Sequence, residues 1–337
     1  MMKRSLLLAL ALSVLPSPSR AEEKIKLGTL APSGSTWHTL LKEMGQKWSE
    51  ASGGKVKLII YPGGVVGNEG DMVKKTRIGQ LQGAALTSIG LHEITPEPQA
   101  VDVPFMIDSF DELDYVMERI GPKLEKSLEA KGYVVIGWAE IGFVRFFSTK
   151  KYQTMADFTG PAKVFGWEGD PASNEAWRAG GFKPVVMSST DIIPSLQTGL
   201  IDTVAMAPLY AFTARIFEKA KYMLDMKWAI LTGATIVRKD AWEKIPAELR
   251  PKLLEIAKEY SKKIAVEVRK LDDDALKTMK TQGLVPVTPV DPPTFEKAAR
   301  ATWTIIRGKV VPATTFDEVK ALAEEYKASH PGTAAKP

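Results

Sequence analysis

Strand-like and helix-like patterns alternate along this chain in two successive series, and this alternation restricts its possible folds more than any other feature. The first series opens with an alternating stretch at 24–30 and a helix whose apolar residues recur from Trp37 to Trp48. It continues with a strand at 55–61, a helix at 72–78, a short strand at 84–87, two helices between 111 and 131, and a strand at 133–139. This rhythm predicts an open, mainly parallel sheet with helices on both faces.

A second series begins near Gly142. Its predicted strands lie at 145–148, 163–167, 183–187 and 203–206, with helices at 171–179 and 192–198. A long apolar run at 228–237 follows, and the pattern is then almost entirely helical, with 246–279 predicted as one long helix. We therefore expect an α/β protein of two lobes, between which the chain crosses more than once.

The first 21 residues have the pattern of a secretory signal peptide. A basic start at 1–4 precedes an apolar run at 5–15, and the small residues Ser19 and Ala21 stand where a signal peptidase reads. The run is too short for a membrane anchor, which needs about 20 apolar residues. We expect cleavage after Ala21 and a soluble mature protein in the periplasm, a compartment with which the absence of cysteine is consistent.

Charge argues against a nucleic-acid partner. Of 45 basic residues, three precede residue 22, which leaves 42 against 40 acidic residues and a net charge of about +2 for the mature chain. Lysine and glutamate alternate along the predicted helices, whereas a nucleic-acid-binding protein would show a concentrated basic stripe.

Sequence signatures of enzymes and metal sites are also missing. The three histidines are scattered, and no H-E-x-x-H, G-x-S-x-G or G-x-x-x-x-G-K-[ST] motif occurs. The aspartates at 272–274 would point about 100° apart on a helix, which favours a solvated surface over a metal site. The glycine-rich loop at 62–70 is more typical of a sharp turn than of a phosphate cradle. We expect neither a metal nor a cofactor.

Small hydroxyl side chains occupy three loops at the ends of predicted strands. They are Ser33, Ser35 and Thr36 in the first loop, which precedes Trp37, then Thr87 and Ser88, and finally Ser189. In an open α/β sheet, ligands bind at the carboxyl ends of the strands, where such hydroxyls converge. For any one loop taken alone, helix capping is the favoured explanation. The three loops together favour a binding cleft.

Arg145 stands inside the apolar stretch GFVRFF at 142–147. Burying a guanidinium costs several kcal/mol unless an anion pairs with it. Two partners are open: the carboxylate of a ligand in a cleft, or Glu168 or Asp170 in the following loop.

Several short motifs, in this order and spacing, resemble the DctP-type substrate-binding proteins of tripartite ATP-independent periplasmic (TRAP) transporters. They are VGNE at 66–69, VPF at 103–105, Arg145 before STK, DFTG at 157–160, and SLQTG at 195–199 before Ile201-Asp202. The resemblance implies a type II-like periplasmic-binding-protein fold whose two lobes close over one organic acid. It implies lobe I at 22–142 plus 232–271, lobe II at 143–231 plus 272–330, and a disordered tail at 331–337. The strand at 228–237 and the helix at 246–279 would bridge the lobes.

The resemblance also implies delivery to the small and large membrane subunits of a TRAP permease, and it makes Arg145 a ligand-facing arginine. A second arginine, usual in the family, is replaced here by Phe165, and usual polar contacts fall on Leu30 and Met206. Trp167, Asp170 and Tyr210 lie in segments expected to face the cleft. We therefore predict a monocarboxylate with an apolar body, unless Lys163 or Arg178 restores a second cation. The alternatives are a periplasmic enzyme, a signalling receptor, or a receptor for a neutral solute.

Overall fold

The first lobe contains each of the strands that the sequence pattern predicts, with helices between them. A computed structural model describes residues 22–331, so the predicted signal peptide and nearly all of the predicted tail lie outside the described residues. The elements are β1 (Glu23–Thr29), α1 (Thr36–Ala51), β2 (Val56–Tyr61), α2 (Glu69–Arg77), β3 (Gly83–Thr87), α3 (Ser88–His92), a 3₁₀ turn (Glu97–Asp102) and α4 (Phe110–Ala130).

Helix α4 is continuous, so the prediction of two helices between 111 and 131 is wrong. Ser109 caps its start by accepting the N–H of Glu112, and Pro122 lies inside it. A proline removes one helical hydrogen bond. The helix persists through Pro122 because buried side chains recur at three- and four-residue spacing along one face, at Leu113, Val116, Ile120, Leu124 and Leu128.

One strand of 16 residues, β4 (Tyr133–Ser148), joins the two lobes. The sequence suggested two strands here, separated near Gly142. Register shifts between Val135 and Gly137 and between Glu140 and Gly142 mark β-bulges, and the strand continues through them. Strand β4 crosses between the lobes, because it pairs with strands of both. The run at 228–237, which we expected to bridge the lobes, pairs with β4 along its length. Its start packs in a core with Phe146 and Phe158 of the second lobe and its end pairs with β3 of the first, so it crosses beside β4.

The remaining elements form the second lobe and the return to the first. They are α5 (Met155–Thr159), β5 (Val164–Trp167), α6 (Pro171–Ala179), β6 (Pro184–Met187), a 3₁₀ turn (Ser189–Asp191), α7 (Ile192–Thr198), β7 (Thr203–Met206), α8 (Pro208–Thr213), a 3₁₀ turn (Ile216–Glu218), β8 (Tyr222–Leu224), β9 (Ala229–Arg238), α9 (Lys239–Lys244), α10 (Arg250–Thr281), β10 (Val285–Val287), α11 (Pro292–Ile305), a turn (Ile306–Val310) and α12 (Ala313–Ser329).

The strands form a mixed sheet with the order β2-β1-β3-β9-β4-β7-β5-β6. The pairs β1–β2, β1–β3 and β5–β6 are parallel, whereas β9 runs antiparallel to both β3 and β4. Strand β8 pairs with β4 and with β10. The predicted α/β class is confirmed, in a sheet that combines parallel and antiparallel strand pairs.

Helix α10 connects the cores of both lobes over its 32 residues. Its residues Leu253, Ile256 and Val268 lie in the core under α1, while Met279 belongs to the core of the second lobe. The prediction of one long helix is confirmed. The lobe boundaries at 142/143, 231/232 and 271/272 stay predictions. None of the helices between residues 22 and 331 combines the length and the apolar character that crossing a membrane requires.

Candidate functional site

A cavity of about 150 Å³ lies between the two lobes. Lobe I contributes the start of α3 and the 3₁₀ turn at 97–102, and lobe II contributes β5 and α6. Strands β4 and β9 and the end of α11 close the remaining sides. A cavity of this volume has the size that holds a benzene ring.

Aromatic side chains form much of the cavity wall. Phe165 and Trp167 meet edge to face with ring centroids 5.1 Å apart. Trp177 stacks on Trp228 at 5.8 Å, and Phe182 meets Trp228 at 5.7 Å. Such rings reward the burial of a carbon skeleton, by about 25 cal/mol per Å² of apolar surface removed from water. The wall can therefore hold an apolar body.

A hydrogen bond between lobes stands in this wall. Gln99 donates through Nε2 to Asp170 Oδ2 over 2.9 Å, and both side chains are buried. The other carboxylate oxygen of Asp170 accepts the N–H of Ser173 at 3.0 Å and so caps α6. The carbonyl oxygen of the Gln99 side chain is buried without a hydrogen-bond partner among the described residues.

Trp228 carries a second unpaired polar atom in the same wall. Its ring is 4% exposed, and its Nε1 has no acceptor within the described part of the chain. Buried polar groups are paired in the great majority of structures. One unpaired acceptor and one unpaired donor therefore belong to residues that line the same cavity, and they need an explanation.

Asp102 is a carboxylate of the wall that the sequence did not single out. It accepts hydrogen bonds from the Ser88 hydroxyl, from the Thr232 hydroxyl at 2.7 Å and from the Thr232 N–H at 3.2 Å. Desolvation by burial raises the pKa of Asp102 to about 7, although these hydrogen bonds oppose the shift. Burial in the wall therefore favours the neutral form of this carboxyl group more than water does.

No lysine, arginine or histidine of residues 22–331 lines the cavity, while two aspartates do. A dicarboxylate would bring two charges into this wall without a cationic partner, and that desolvation is costly. Lys163 donates from Nζ to Gly199 O at 3.0 Å, and Arg178 is exposed on α6. Neither restores a second cation to the wall.

Four of the predicted site residues line the cavity: Ser88, Phe165, Trp167 and Asp170. Ser189 lines a smaller neighbouring cavity together with Trp167, and its hydroxyl is also buried without a partner in the described chain. Asn68 of lobe I crosses this smaller cavity and donates to Glu168 Oε2 at 3.1 Å and Ser188 Oγ at 3.3 Å. These bonds join the two lobes.

The first hydroxyl loop does not reach the cavity. Ser35 caps α1 by accepting the His38 N–H at 3.3 Å, Thr36 begins the helix, and Ser33 is exposed. Trp37 is buried in the core and donates to Glu140 O at 3.4 Å. The Ser35 hydroxyl therefore serves helix capping, the alternative to a binding cleft, and no residue of this loop lines the cavity.

Three further candidates lie in packed regions beside the cavity. Thr87 donates to the buried carboxylate of Glu69, through N–H at 2.7 Å and through its hydroxyl at 2.6 Å, and burial raises the pKa of Glu69. Met206 belongs to the core of lobe II. Tyr210 packs beside it, and burial next to Glu69 raises the pKa of its hydroxyl to about 12.

Arg145 is placed away from the cavity. Val144 lines the cavity, and since neighbouring strand residues face opposite sides, Arg145 points to the other face of β4. There its Nη1 pairs with Asp225, while Lys227 and Asp272 stand within its electrostatic range. The alternative pairing with Glu168 or Asp170 is wrong, because the partner is Asp225. Arg145 is thus not among the residues that line this cavity, and its Nε is buried without a hydrogen-bond partner among the described residues.

Sequence reasoning missed Gln99, Asp102, Trp177 and Trp228. Gln99 and Asp102 lie in the short 3₁₀ turn, for which no strong periodicity exists, and Trp228 reads as the start of an apolar strand. The nearest signal was the motif VPF at 103–105, which directly follows that turn.

The chain matches the sequence profile of the DctP family, described as bacterial extracellular solute-binding protein, family 7, over residues 27–308. It is 24% identical over 292 residues to the 2,3-diketo-L-gulonate-binding periplasmic protein YiaO of Escherichia coli K12. The aligned region covers 85% of this chain and 88% of that protein.

Solved structures show the same fold. One is a TRAP periplasmic solute-binding protein from Sulfurospirillum deleyianum with bound succinate, with a TM-score of 0.81 and 22% identity. Another, from Ralstonia eutropha H16, holds (S)-2-acetolactate and has a TM-score of 0.82 and 19% identity. Each comparison covers 90% of this chain and 99% of the other.

Proposed function

The chain belongs to the bacterial extracellular solute-binding proteins of family 7, and we propose that it is the periplasmic receptor of a TRAP transporter for a small organic acid with an apolar body. The observation that carries this proposal is the aromatic cavity between the lobes. The receptor captures its solute there without catalysing a reaction and delivers it to the small and large membrane subunits of a permease. The signal peptide directs export and is cleaved after Ala21.

Capture works by closure of the lobes. A ligand shifts the protein toward the closed state only by as much as it binds that state better. Contacts from both lobes meet at this cavity, through Ser88 and Gln99 on one side and Phe165 and Asp170 on the other. A solute that touches both sides therefore favours closure.

The composition of the wall supports one carboxylate at most. Relatives with the same fold hold succinate in one case and (S)-2-acetolactate, a small monoacid, in another. Here the wall offers hydroxyl and indole N–H donors and two aspartates, with no cation among the described residues. A monoacid bound through neutral donors agrees better with that wall than a dicarboxylate.

The described cavity wall contains no cationic side chain, and this also favours a second candidate function, a receptor for a neutral solute. Aromatic rings with a few hydrogen-bonding groups are typical of pockets for uncharged ligands. The amide of a bound acid is a close neutral analogue, so acid and amide pairs separate the two candidates.

The test is to identify the solute that stays bound through purification from the periplasm, by mass spectrometry, and then to screen candidate solutes by thermal shift. We expect branched or aromatic monoacids to raise the melting temperature more than succinate or malate. A larger stabilisation by succinate or malate would refute the monoacid. A larger stabilisation by amides than by the matching acids would support the neutral solute.

A further inference from the structure

Two buried polar atoms of opposite kind belong to residues that line the same cavity. Gln99 Oε1 can only accept a hydrogen bond, and Trp228 Nε1 can only donate one. Their side chains are 8% and 4% exposed, and neither atom has a partner among residues 22–331. Leaving such groups unpaired is costly, so a ligand that pairs them is favoured over one that does not.

The orientation of the Gln99 amide is fixed by its neighbour. Its Nε2 donates to Asp170 Oδ2 at 2.9 Å, and a carboxylate oxygen can accept this bond whereas an amide carbonyl could not donate it. Asp170 is itself held by the Ser173 N–H and is 1% exposed. The Gln99 side chain therefore presents its carbonyl oxygen, and Asp170 acts as the positioning residue.

We propose that the solute carries a hydrogen-bond donor that meets Gln99 Oε1 and an acceptor that meets Trp228 Nε1. This inference rests on the proposed function, in that the cavity holds the transported solute. The acid group or a carbonyl supplies the acceptor, and a hydroxyl or an amine beside it supplies the donor. The receptor then selects small acids that bear such a substituent over acids that have only the apolar body.

The volume of the cavity limits the size of the apolar body of the solute. The cavity of about 150 Å³ suits a group up to the size of a benzene ring. Isovalerate, 2-hydroxyisovalerate and valine share one small branched body and differ only in the substituent on the carbon beside the carboxylate. They therefore compare no donor, a hydroxyl and an ammonium in the same position.

The first experiment is calorimetry on the wild-type protein with these three acids and with isovaleramide and 2-hydroxyisovaleramide. We expect 2-hydroxyisovalerate or valine to bind at least about 10-fold tighter than isovalerate, because isovalerate leaves Gln99 Oε1 unpaired. Equal binding of isovalerate and both substituted acids would overturn the inference while leaving the proposed function intact.

The two amides distinguish a failure of the proposed organic-acid function from a failure of the inference about Gln99 and Trp228. If only the amides bind, the organic-acid function fails while the inference is supported, because a primary amide itself carries an N–H donor for Gln99 Oε1 and a carbonyl acceptor for Trp228 Nε1. If none of the five compounds binds, both ideas are refuted for a solute of this size. These measurements need no variant, so they stand even if a substitution impairs folding.

The second experiment tests the positioning residue with Asp170→Asn. Asparagine caps helices as well as aspartate does, so α6 should still form. Its amide can donate to Gln99 Oε1, which lets the Gln99 amide turn and present Nε2 to the cavity. We expect the preference for the substituted acid to fall below about threefold. An unchanged preference would contradict the proposed role of Gln99.

The proposed role of the Trp228 N–H as a hydrogen-bond donor to the solute is tested with Trp228→Phe, which keeps an aromatic ring and removes the N–H. We expect the affinity for both acids to fall by a similar factor, about fivefold or more, with the preference between them unchanged. The matched control is Trp48→Phe, because Trp48 is a buried tryptophan of lobe I whose N–H already donates to Leu253 O at 2.9 Å. The control should leave both affinities unchanged, and equal losses in the two variants would refute the role of Trp228.

Discussion

At the scale of single residues, the surroundings of Arg145 determine what its charge does. Its side chain is 15% exposed and pairs with Asp225, and it is close enough to Asp272 to lower the pKa of that carboxyl. Burial nevertheless raises the pKa of Asp272 to about 6, and Asp272 Oδ1 accepts the N–H of Leu209 at 3.0 Å. Arg145 therefore compensates negative charge beneath the crossing strand.

We expect Arg145→Met to lower the free energy of unfolding by about 1 to 3 kcal/mol, since it leaves a partly buried carboxylate without its cation. The affinity for the retained solute should change less than about threefold, which would correspond to roughly 0.6 kcal/mol. Urea unfolding and calorimetry measure the two quantities. Arg215→Met is the control, because Arg215 forms an exposed pair with Glu218 and should cost under about 1 kcal/mol. A 30-fold loss of affinity with unchanged stability would show that Arg145 reaches the solute.

At the scale of elements, the bulge at Gly142 lets one strand serve both lobes. Gly142 has a φ of +123°, a conformation that side chains disfavour, and a Cβ there would lie 3.2 Å from Ala207 Cβ. The register of β4 against β9 shifts at this point, between Glu140 and Gly142. A one-residue shift exchanges the two faces of a strand, so the bulge helps to decide which side chains of the second half face the cavity.

We expect Gly142→Ala to destabilise the protein by about 1 to 3 kcal/mol, through backbone strain and crowding against α8. Gly283→Ala is the matched control, because Gly283 has a φ of +101° but no neighbour within 4 Å of an added Cβ. The control should suffer the backbone strain alone and lose less stability in urea unfolding. Equal losses in the two variants would show that the contact with Ala207 contributes nothing.

At the scale of the whole molecule, closure depends on a few bonds between the lobes. Asn68 donates to Glu168 and Ser188 across the smaller cavity, and Gln99 donates to Asp170 in the wall of the larger one. Glu168 is the best residue to change, because Asn68 also caps α2 and Asp170 also caps α6. Removing Glu168 weakens closure and leaves both caps in place.

We expect Glu168→Ala to raise the open population and to weaken solute binding about two- to fivefold, which matches the loss of one exposed hydrogen bond. Small-angle X-ray scattering without solute should show a larger radius of gyration than the wild type. Glu175→Ala is the control, since Glu175 forms a surface pair with Lys309 and contacts no residue of lobe I through a hydrogen bond in the described chain. Identical scattering curves for Glu168→Ala and wild type would contradict a role of Glu168 in closure.

The sequence predicted the features that depend on near neighbours. The helix of Trp37 to Trp48 and the long helix α10 were both readable, because helical periodicity involves residues three or four positions apart. The fold class followed from the order of these elements, and the short motifs pointed to the family that the profile match then showed. The cavity was predicted only in part, through Ser88, Phe165, Trp167 and Asp170.

The amino-acid sequence by itself determined the elements, their order and the two-lobed α/β class. The tertiary structure decided which side chains meet. Gln99 reaches Asp170 across 71 positions, and Arg145 reaches Asp225 across 80. The bulge in β4 sets which of Val144 and Arg145 faces the cavity, and no local pattern records that choice. The physical reason is range: periodicity arises from the geometry of a single element, whereas a cavity wall arises from the packing of several elements that are distant along the chain.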